Sequence, residues 1–283
     1  MPDLSHLPPL RDVIARHELH TRKSLGQHFL CDLNLTQKIA NAAEDLSGTT
    51  VFEIGPGPGG LTRALVLSQA IQVIAIEKDP RFADALAELV TASSGKLRLI
   101  TGDALKIDLT QLAPPPRAIV ANLPYNIGTE LLLGWLKHIE NYKSLTLMFQ
   151  SEVADRLCAV PGSKAYGRLS VIAQFCCLME RVLEIPASAF TPPPKVSSTV
   201  VHLMPRPTRP SDISLPLLEK VTAAAFGQRR KMLRSSLKTL GGESLLQEAG
   251  IDPTLRAENL TLKDFETLVR LVDARPSAAV PKA

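Results

Sequence analysis

The stretch Asn122-Leu123-Pro124-Tyr125 contains the residues of this sequence that are best suited to chemistry. It follows the apolar run "RAIVA", which predicts a buried strand. Because proline keeps the residue before it extended, the Leu123 carbonyl points in a fixed direction, and the Asn122 side-chain carbonyl can converge on the same point. Two acceptors suit an exocyclic NH₂ group, and the Tyr125 ring offers a face for a base to stack on.

This arrangement predicts a particular reaction. The amine of adenine is a poor nucleophile because its lone pair is delocalised into the ring. Accepting both of its N–H bonds favours a pyramidal nitrogen whose lone pair points towards an incoming methyl group. Asn122 cannot act as a strong base, so catalysis would consist of positioning and electrostatics with in-line methyl transfer.

A second aromatic residue lies in "FTPPPKVSS", residues 190–198. Three consecutive prolines hold this segment in a rigid extended form, so Phe190 could clamp a flipped base opposite Tyr125. The alternative is a stiff connector with Phe190 in the hydrophobic core.

The glycine-rich stretch "VFEIGPGPGG", residues 51–60, matches the G-x-G-x-x-G pattern of a dinucleotide-binding turn through Gly55, Gly57 and Gly60. Pro56 and Pro58 lack an N–H, so the loop has lost two amides that could bind a pyrophosphate. This loss favours a compact ligand with a carboxylate and a sulfonium over a dinucleotide. A tight turn with a purely structural role is the alternative.

Two carboxylates follow neighbouring predicted strands. Glu77 could accept hydrogen bonds from both hydroxyls of a ribose, a role that fits NAD and S-adenosylmethionine equally well, or it could simply favour the start of the next helix. Asp103 could accept from the exocyclic amine of an adenine, or it could be only a turn former.

Apolar strands alternate with amphipathic helices through the first half of the chain, which predicts a parallel sheet covered on both faces. Strands are predicted at 49–54, 71–79, 96–105, 117–125 and 144–150, and helices at 35–46, 60–69, 81–92, 128–139 and 152–160. Each chemically suggestive loop follows the carboxyl end of a strand, where ligands bind in such sheets.

The composition changes near residue 205, where "MPRPTRPSDISLP" predicts a linker. Beyond it only helical patterns remain, at 217–226, 229–240, 243–250 and 261–274. Together these helices predict a small helical domain, followed by a frayed tail after about Ala274.

The bulk properties fit a soluble, cytoplasmic protein. The 283 residues carry a net charge of +4, which permits a nucleic-acid partner without requiring one. The four cysteines, Cys31, Cys158, Cys176 and Cys177, lack metal or redox spacing, so reduced and mostly buried thiols are expected, and no metal site is expected. No signal peptide or membrane-spanning run is visible.

The sequence resembles the small-subunit ribosomal RNA adenine dimethyltransferases, the KsgA/RsmA family. The motifs that carry this resemblance occur in the same order as in that family: "SLGQHFL", "EIGPGPGGLT", "IEKD", "GDAL", "NLPYNI", "MFQSEVADR", "YGRLSV" and "FTPPPKVSS". The resemblance covers residues 20–205 in detail, and "FGQRRKMLRSSLK" and "ENLTLKDFETL" extend it. It implies methyl transfer from S-adenosylmethionine to N6 of two adjacent adenosines near the 3′ end of small-subunit (16S) rRNA, during ribosome biogenesis.

The resemblance also implies the fold and domains. These are a Rossmann-like α/β S-adenosylmethionine-dependent methyltransferase sheet with a smaller C-terminal all-helical domain. The boundaries expected are an N-terminal arm at 1–20, the methyltransferase domain at 21–205, a helical RNA-binding domain at 206–274 and a disordered tail at 275–283. A monomer is expected.

Site residues carry over motif by motif. The resemblance implies cofactor contacts from His28, Leu30, Gly55, Gly57, Glu77, Asp103, Ala104 and Asn122, and a target-base site from Asn122, Leu123, Tyr125 and Phe190. His28 departs from the family, which often has asparagine there. A histidine can donate or accept through either ring nitrogen, or it can pack for structural reasons.

Basic residues could bind the rRNA: Arg22, Lys23, Lys195, Arg229, Arg230, Lys231 and Arg234. In a methyltransferase of structured RNA, such a cluster predicts phosphate contacts, although a charged run is usually only a solvated helix face. Met232, Leu233 and Leu237 would form the buried side of that helix.

Three other functions compete with this interpretation. A large-subunit rRNA adenine methyltransferase of the macrolide-resistance type uses a similar N-x-P-Y motif. A small-subunit assembly factor could bind without needing catalysis. An NAD-dependent oxidoreductase is the third and the most remote.

Overall fold

The structure is a computed structural model, and it describes residues 2–19, 28–228 and 230–275. The chain divides into two compact units. The first contains Met1–Ala154 and Leu178–Pro205, and the second contains Asp155–Cys177 and Arg206–Ala283. The boundary between the units after Pro205 coincides with the one expected from the sequence. Residues 155–177, which were expected in the first domain, group with the second unit.

The described residues form nine strands and eleven α-helices. The strands are β1 Phe29–Leu30, β2 Thr50–Ile54, β3 Gln72–Glu77, β4 Leu97–Thr101, β5 Arg117–Asn122, β6 Ser144–Gln150, β7 Cys177–Ile185, β8 Phe190–Thr191 and β9 Ser198–Pro205. The helices are α1 Leu10–Arg16, α2 Leu33–Asn41, α3 Gly60–Leu67, α4 Arg81–Ala92, α5 Gly128–Leu136, α6 Ser151–Leu157, α7 Arg168–Cys176, α8 Leu215–Phe226, α9 Leu233–Ser236, α10 Gly242–Glu248 and α11 Leu262–Asp273.

A seven-stranded sheet of order β4-β3-β2-β5-β6-β9-β7 forms the centre of the first unit. The strands from β4 to β6 pair in parallel, as the sequence predicts. The sheet as a whole is mixed, because β9 pairs antiparallel with β6, with Met148 opposite Val200. The predicted parallel strands are confirmed, and β7 and β9 are additional strands that were not predicted from the sequence.

The inner parallel strands β2, β3, β5 and β6 are buried on both faces, which explains their largely apolar sequences, whereas the edge strand β4 is partly exposed. Every residue of β2 is buried, including Glu53, and so are five of the six residues of β3. Because these strands run in the same direction, their carboxyl ends lie at one edge of the sheet.

The second unit contains helices that pack through aromatic residues. Tyr166 contacts Phe226 edge to face, and Phe226 stacks on Phe265 with ring centroids 5.7 Å apart. Ser214 caps the N-terminus of α8, because its hydroxyl accepts from the Leu217 N–H. The helix α11 begins with a capping box between Thr261 and Asp264.

The helix predicted at 229–240 is much shorter in the structure. Only Leu233–Ser236 is α-helical, because the N–H groups of Leu233 and Arg234 donate to the carbonyls of Leu255 and Pro253 instead of to a preceding turn. Leu233 and Leu237 are buried as predicted, but Met232 is 41% exposed, so its predicted burial was wrong.

The N-terminal segment is more than a polar arm. It contains α1, whose Leu10 and Val13 are buried, and the Pro8 carbonyl accepts from the guanidinium of Arg63 on α3. Residues 276–283, where the tail was expected, lie outside the described residues. No helix of the described segments has the length and apolar character needed to cross a bilayer.

Gly60, the first residue of α3, provides a test of this packing. A Cβ at Gly60 would overlap the backbone carbonyl oxygen of Leu30, and backbone cannot give way as a flexible side chain can. We therefore expect Gly60→Ala to lower the free energy of unfolding by about 1–3 kcal/mol. Thermal unfolding should show a Tm roughly 2–12 °C lower than that of the wild type.

Gly134→Ala is the matched control. Gly134 also lies in a helix, but a Cβ there would have no atom within 4 Å. Alanine at this exposed helical position should leave the Tm unchanged or raise it slightly. Equal Tm values for the two variants would contradict the close approach of α3 to β1.

Candidate active site

A pocket lies at the carboxyl edge of the parallel strands, and we call it the strand-end pocket. Most of its lining residues come from the segment before and within β1, the loops after β2, β3 and β4, and the end of β5 with the turn that follows it. The strand β2 and the helices α2 and α3 contribute the others. The lining residues used below are His28, Leu30, Glu53, Gly55, Gly57, Glu77, Lys78, Asp103, Asn122, Leu123, Pro124 and Tyr125.

The glycine loop at residues 55–59 connects β2 to α3. Gly55 and Gly57 have φ of +67° and +54°, values at which a residue with a side chain would be strained. The Gly55 N–H donates to the Ile76 carbonyl, and Pro124 lies 3.6 Å from where a Cβ of Gly55 would be. The loop therefore packs directly against the turn that contains Asn122 and Tyr125.

Glu77 is the last residue of β3 and is 7% exposed. Its carboxylate accepts from the backbone N–H groups of Gly57 at 3.3 Å and Asp79 at 2.9 Å. Burial raises the pKa of Glu77, and these hydrogen bonds oppose that rise. The carboxylate is thus held in one orientation at the pocket wall.

Asp103 lies in the turn after β4 and binds Lys78. The Lys78 Nζ donates to Asp103 Oδ2 at 2.9 Å, and the Leu105 N–H donates to Oδ1. These contacts, led by the lysine, lower the pKa of Asp103. Lys78 was not among the residues singled out from the sequence, although it lies between Glu77 and Asp79 in "IEKD".

The aromatic side of the pocket is built around Tyr125. Its hydroxyl is 2.7 Å from the Ser198 hydroxyl, and its ring stacks on His28 with centroids 5.5 Å apart. The His28 Nδ1 is 2.8 Å from the Pro192 carbonyl oxygen. His28 therefore connects Tyr125 to the proline-rich segment, a structural role that the sequence left open.

Most of the site residues predicted from the sequence lie together in the structure, around the strand-end pocket. Seven of the eight expected cofactor residues line the strand-end pocket; Ala104 does not. Of the expected base-site residues, Asn122, Leu123 and Tyr125 line it. Phe190 is instead 2% exposed in the hydrophobic core, where β8 pairs with β1.

The expected RNA-contacting residues are only partly described. Lys195, Arg230, Lys231 and Arg234 are exposed, whereas Arg22, Lys23 and Arg229 lie outside the described residues. Within the described segments there is no cluster of three or more side chains suited to bind a metal ion.

Glu53 is a further lining residue, and it was not predicted from the sequence. It is 2% exposed, and its Oε2 has no hydrogen-bond partner within the described residues. Burial, followed by the negative charge of Glu77, raises its pKa to about 8, although the Thr62 hydroxyl lowers it in part. A charged residue within the apolar run "VFEI" was the signal that could have revealed it.

Comparison with known proteins shows clear relatives. The family model described as "Ribosomal RNA adenine dimethylase" matches residues 18–274. A protein of Rhodospirillum rubrum named "Ribosomal RNA small subunit methyltransferase A" is 56% identical over 96% of this chain and 94% of its own length. A protein of the same name from Paramagnetospirillum magneticum is 57% identical over 96% of this chain and 97% of its own.

Solved structures agree with this result. A dimethyladenosine transferase from Plasmodium falciparum is 27% identical, with a TM-score of 0.75 over 85% of this chain and 96% of its own. The 23S rRNA methyltransferase ErmE is 27% identical, with a TM-score of 0.66 over 87% of this chain and 99% of its own.

Proposed function

Because this chain belongs to the ribosomal RNA adenine dimethylase family, we propose that it methylates N6 of two adjacent adenosines near the 3′ end of small-subunit rRNA. The methyl donor is S-adenosylmethionine. The observation that carries this proposal is the close packing of the Asn122–Tyr125 turn against a pocket lined with carboxylates.

The strand-end pocket suits S-adenosylmethionine in its chemistry. The buried carboxylate of Glu77 can accept from ribose hydroxyls, and Asp103 can accept from an adenine amine. Gly57 leaves room for a ligand to approach the backbone, since among the described residues only the Phe29 ring lies within 4 Å of where its Cβ would be. His28, Leu30, Ala104 and Asn122 complete the proposed cofactor contacts.

When bound, the donor supplies an electrophilic methyl group on a sulfonium, which is a good leaving group. The protein's part is to position the amine. The Asn122 side-chain carbonyl and the Leu123 carbonyl accept the two N–H bonds, and Tyr125 stacks on the base. The neutral Asn122 does not remove the proton, which therefore passes to solvent after methyl transfer.

Phe190 can join this base site only if it leaves the core position that it occupies in the structure. We retain it as a proposed second stacking residue, since it lies beside Leu30 in the β1–β8 pair at the pocket wall. We also propose that the protein acts as a monomer in the cytoplasm, on small subunits that are still being assembled.

Methylation of isolated ribosomal subunits tests the proposed substrate. We expect label from methyl-labelled S-adenosylmethionine to enter only the small-subunit rRNA, at two adjacent adenosines located by mass spectrometry. ErmE, which resembles this chain in structure, is named a 23S rRNA methyltransferase. Label in large-subunit RNA alone would therefore support the alternative and contradict the proposal.

The second unit is proposed to contribute phosphate contacts. Arg230 and Lys231 precede α9, Arg234 lies within it, and all three are exposed. No acidic residue lies between Gln228 and Gly242 in the sequence. This concentration of positive charge fits the backbone of a structured RNA. Lys195 of the first unit is proposed as a separate phosphate contact, and so are Arg22, Lys23 and Arg229, which lie outside the described residues.

We expect Lys231→Gln/Arg234→Gln to bind small subunits more weakly, with a reduced salt dependence. Losing two phosphate contacts should reduce the magnitude of the slope of log K against log salt by about 1.4–1.8. Binding titrations at several salt concentrations measure this slope. The control is Lys220→Gln/Lys263→Gln, two exposed lysines of α8 and α11, and equal slopes for the two variants would contradict the assignment.

A further inference from the structure

His28 covers the face of Tyr125 on which the target base is proposed to stack. The two rings lie with their centroids 5.5 Å apart and an angle of 30° between their planes. Asn122 and Leu123, the proposed acceptors for the amine of the base, line the same strand-end pocket as both rings. A base held by those acceptors must therefore lie on the pocket side of Tyr125, where His28 stacks.

A base and the His28 ring cannot share this position. Stacked rings are separated by about 3.5 Å, so a base between His28 and Tyr125 would require a spacing of about 7 Å. Tyr125 also lines a second cavity, together with residues of α5, β6 and α6, but the volume of that cavity is about 10 Å³. Such a volume holds one water molecule at most, so this cavity offers the base no alternative position.

The two rings are anchored differently. Tyr125 follows Pro124 in the turn after β5, and its hydroxyl is 2.7 Å from that of the fully buried Ser198. The His28 ring is half-buried, and its Nδ1–H donates to the Pro192 carbonyl oxygen at 2.8 Å. Rotation of the His28 side chain breaks this bond and the stacking contact. A shift of Tyr125 would also disturb the turn that holds the two acceptors.

We propose that the His28 side chain holds the place of the target adenine against Tyr125, and that it must rotate away before the base is methylated. The inference rests on the proposed function, because it takes Asn122, Leu123 and Tyr125 as the base site. It gives His28 a role at that site in addition to the cofactor contact proposed for it. The stacked imidazole keeps the Tyr125 ring oriented and its apolar face out of water until the base replaces it.

Fluorine NMR of the full chain labelled with 3-fluorotyrosine tests this competition. The chain has three tyrosines, and the signal of Tyr125 is the one that disappears in Tyr125→Phe. The protein is saturated with S-adenosylhomocysteine, which fills the cofactor site, and is then titrated with adenosine 5′-monophosphate as a probe of the target nucleotide. The movement of the Tyr125 signal with concentration gives the dissociation constant of this nucleotide at the base site.

Two substitutions separate the ring of His28 from its hydrogen bond. His28→Asn keeps an N–H donor but has no ring, so the nucleotide should bind about 2- to 10-fold more tightly, the range by which an aromatic pair shifts an equilibrium. His28→Phe keeps a ring on Tyr125 and should show no such gain. His138→Asn changes an exposed histidine after α5 and should match the wild type. Unchanged signals of Tyr142 and Tyr166 show that each variant is folded.

Methylation of small subunits provides a second readout. His28→Asn should raise kcat/KM for small subunits by a similar factor, because entry of the base no longer displaces a stacked ring. A side chain needed only for the fold or for the cofactor would instead lower this ratio, or raise the KM for S-adenosylmethionine, in both variants of His28. Initial rates at varied concentrations of each substrate separate these results.

Three results would overturn the inference. They are an affinity of His28→Asn for the nucleotide that is equal to or lower than that of the wild type, an equal gain in His28→Phe, and a Tyr125 signal that the nucleotide moves in neither the wild type nor His28→Asn. Failure of the wild type to bind S-adenosylhomocysteine, or to methylate small-subunit RNA, would instead contradict the proposed function. The two failures are therefore distinguishable.

Discussion

Replacement of Asn122 by alanine is expected to lower kcat for rRNA methylation by about 10²- to 10³-fold. The Asn122 side chain is proposed to hold one N–H of the target amine while the nitrogen becomes pyramidal, and losing such a contact in the transition state has an effect of this size in other enzymes. Asn122 lies at the end of β5, inside the strand-end pocket. Initial rates of label transfer to isolated small subunits measure the change.

Two binding measurements separate this effect from a general loss of function. Cofactor affinity should fall less than tenfold, since Asn122 is expected to contribute one neutral hydrogen bond there, worth about 1 kcal/mol. Binding to small subunits should be nearly unchanged, because many contacts outside this pocket contribute to it. Asn34→Ala, an exposed asparagine of α2, is the matched control and should have wild-type kcat.

A different pattern would change the assignment. If Asn122→Ala lost subunit binding together with methylation, Asn122 would serve the fold or the RNA interface, and not the chemistry. If Asn122→Ala kept full methylation but cells carrying it showed the same ribosomal defect as a deletion strain, the assembly-factor alternative would gain support.

Local sequence signals were sufficient to predict the positions of the parallel strands and the residues at their ends. The run 144–150 predicts β6 with its observed bounds, because Leu145 to Phe149 are apolar apart from Thr146 and polar residues lie on either side. Glu77 and Asn122 were found for the same reason: each is the polar residue on which an apolar strand ends. Parallel pairing then brings those ends together in the structure.

Features that depend on pairing between distant segments could not be predicted in this way. Only the first and last residues of β7 are buried, and charged residues interrupt its apolar ones. The strand β9 leads into the proline-rich linker. Phe190 is buried because β8 pairs with β1, far away in the sequence. The short α9 results from hydrogen bonds to residues 253–255, which no local pattern encodes.

Replacement of Glu77 by alanine is expected to raise the dissociation constant for S-adenosylhomocysteine by about 10²-fold or more. The carboxylate is proposed to accept from two ribose hydroxyls, and hydrogen bonds to a charged group contribute about 1.5–3 kcal/mol each. The same carboxylate accepts from the N–H groups of Gly57 and Asp79, so its removal also frees the glycine loop. Glu77→Gln keeps one acceptor and should fall between alanine and the wild type.

Calorimetric titration measures these constants, and Glu130→Gln, an exposed residue of α5, is the control for charge alone. Comparing the ligands separates the two roles of Glu77. Adenine, which lacks the ribose, should lose affinity only through the freed loop, whereas adenosine should also lose the hydroxyl contacts. Both ligands are expected to contact the same loop. An equal loss of affinity for adenine and adenosine in Glu77→Ala would therefore show that Glu77 orders the loop and does not bind the ribose.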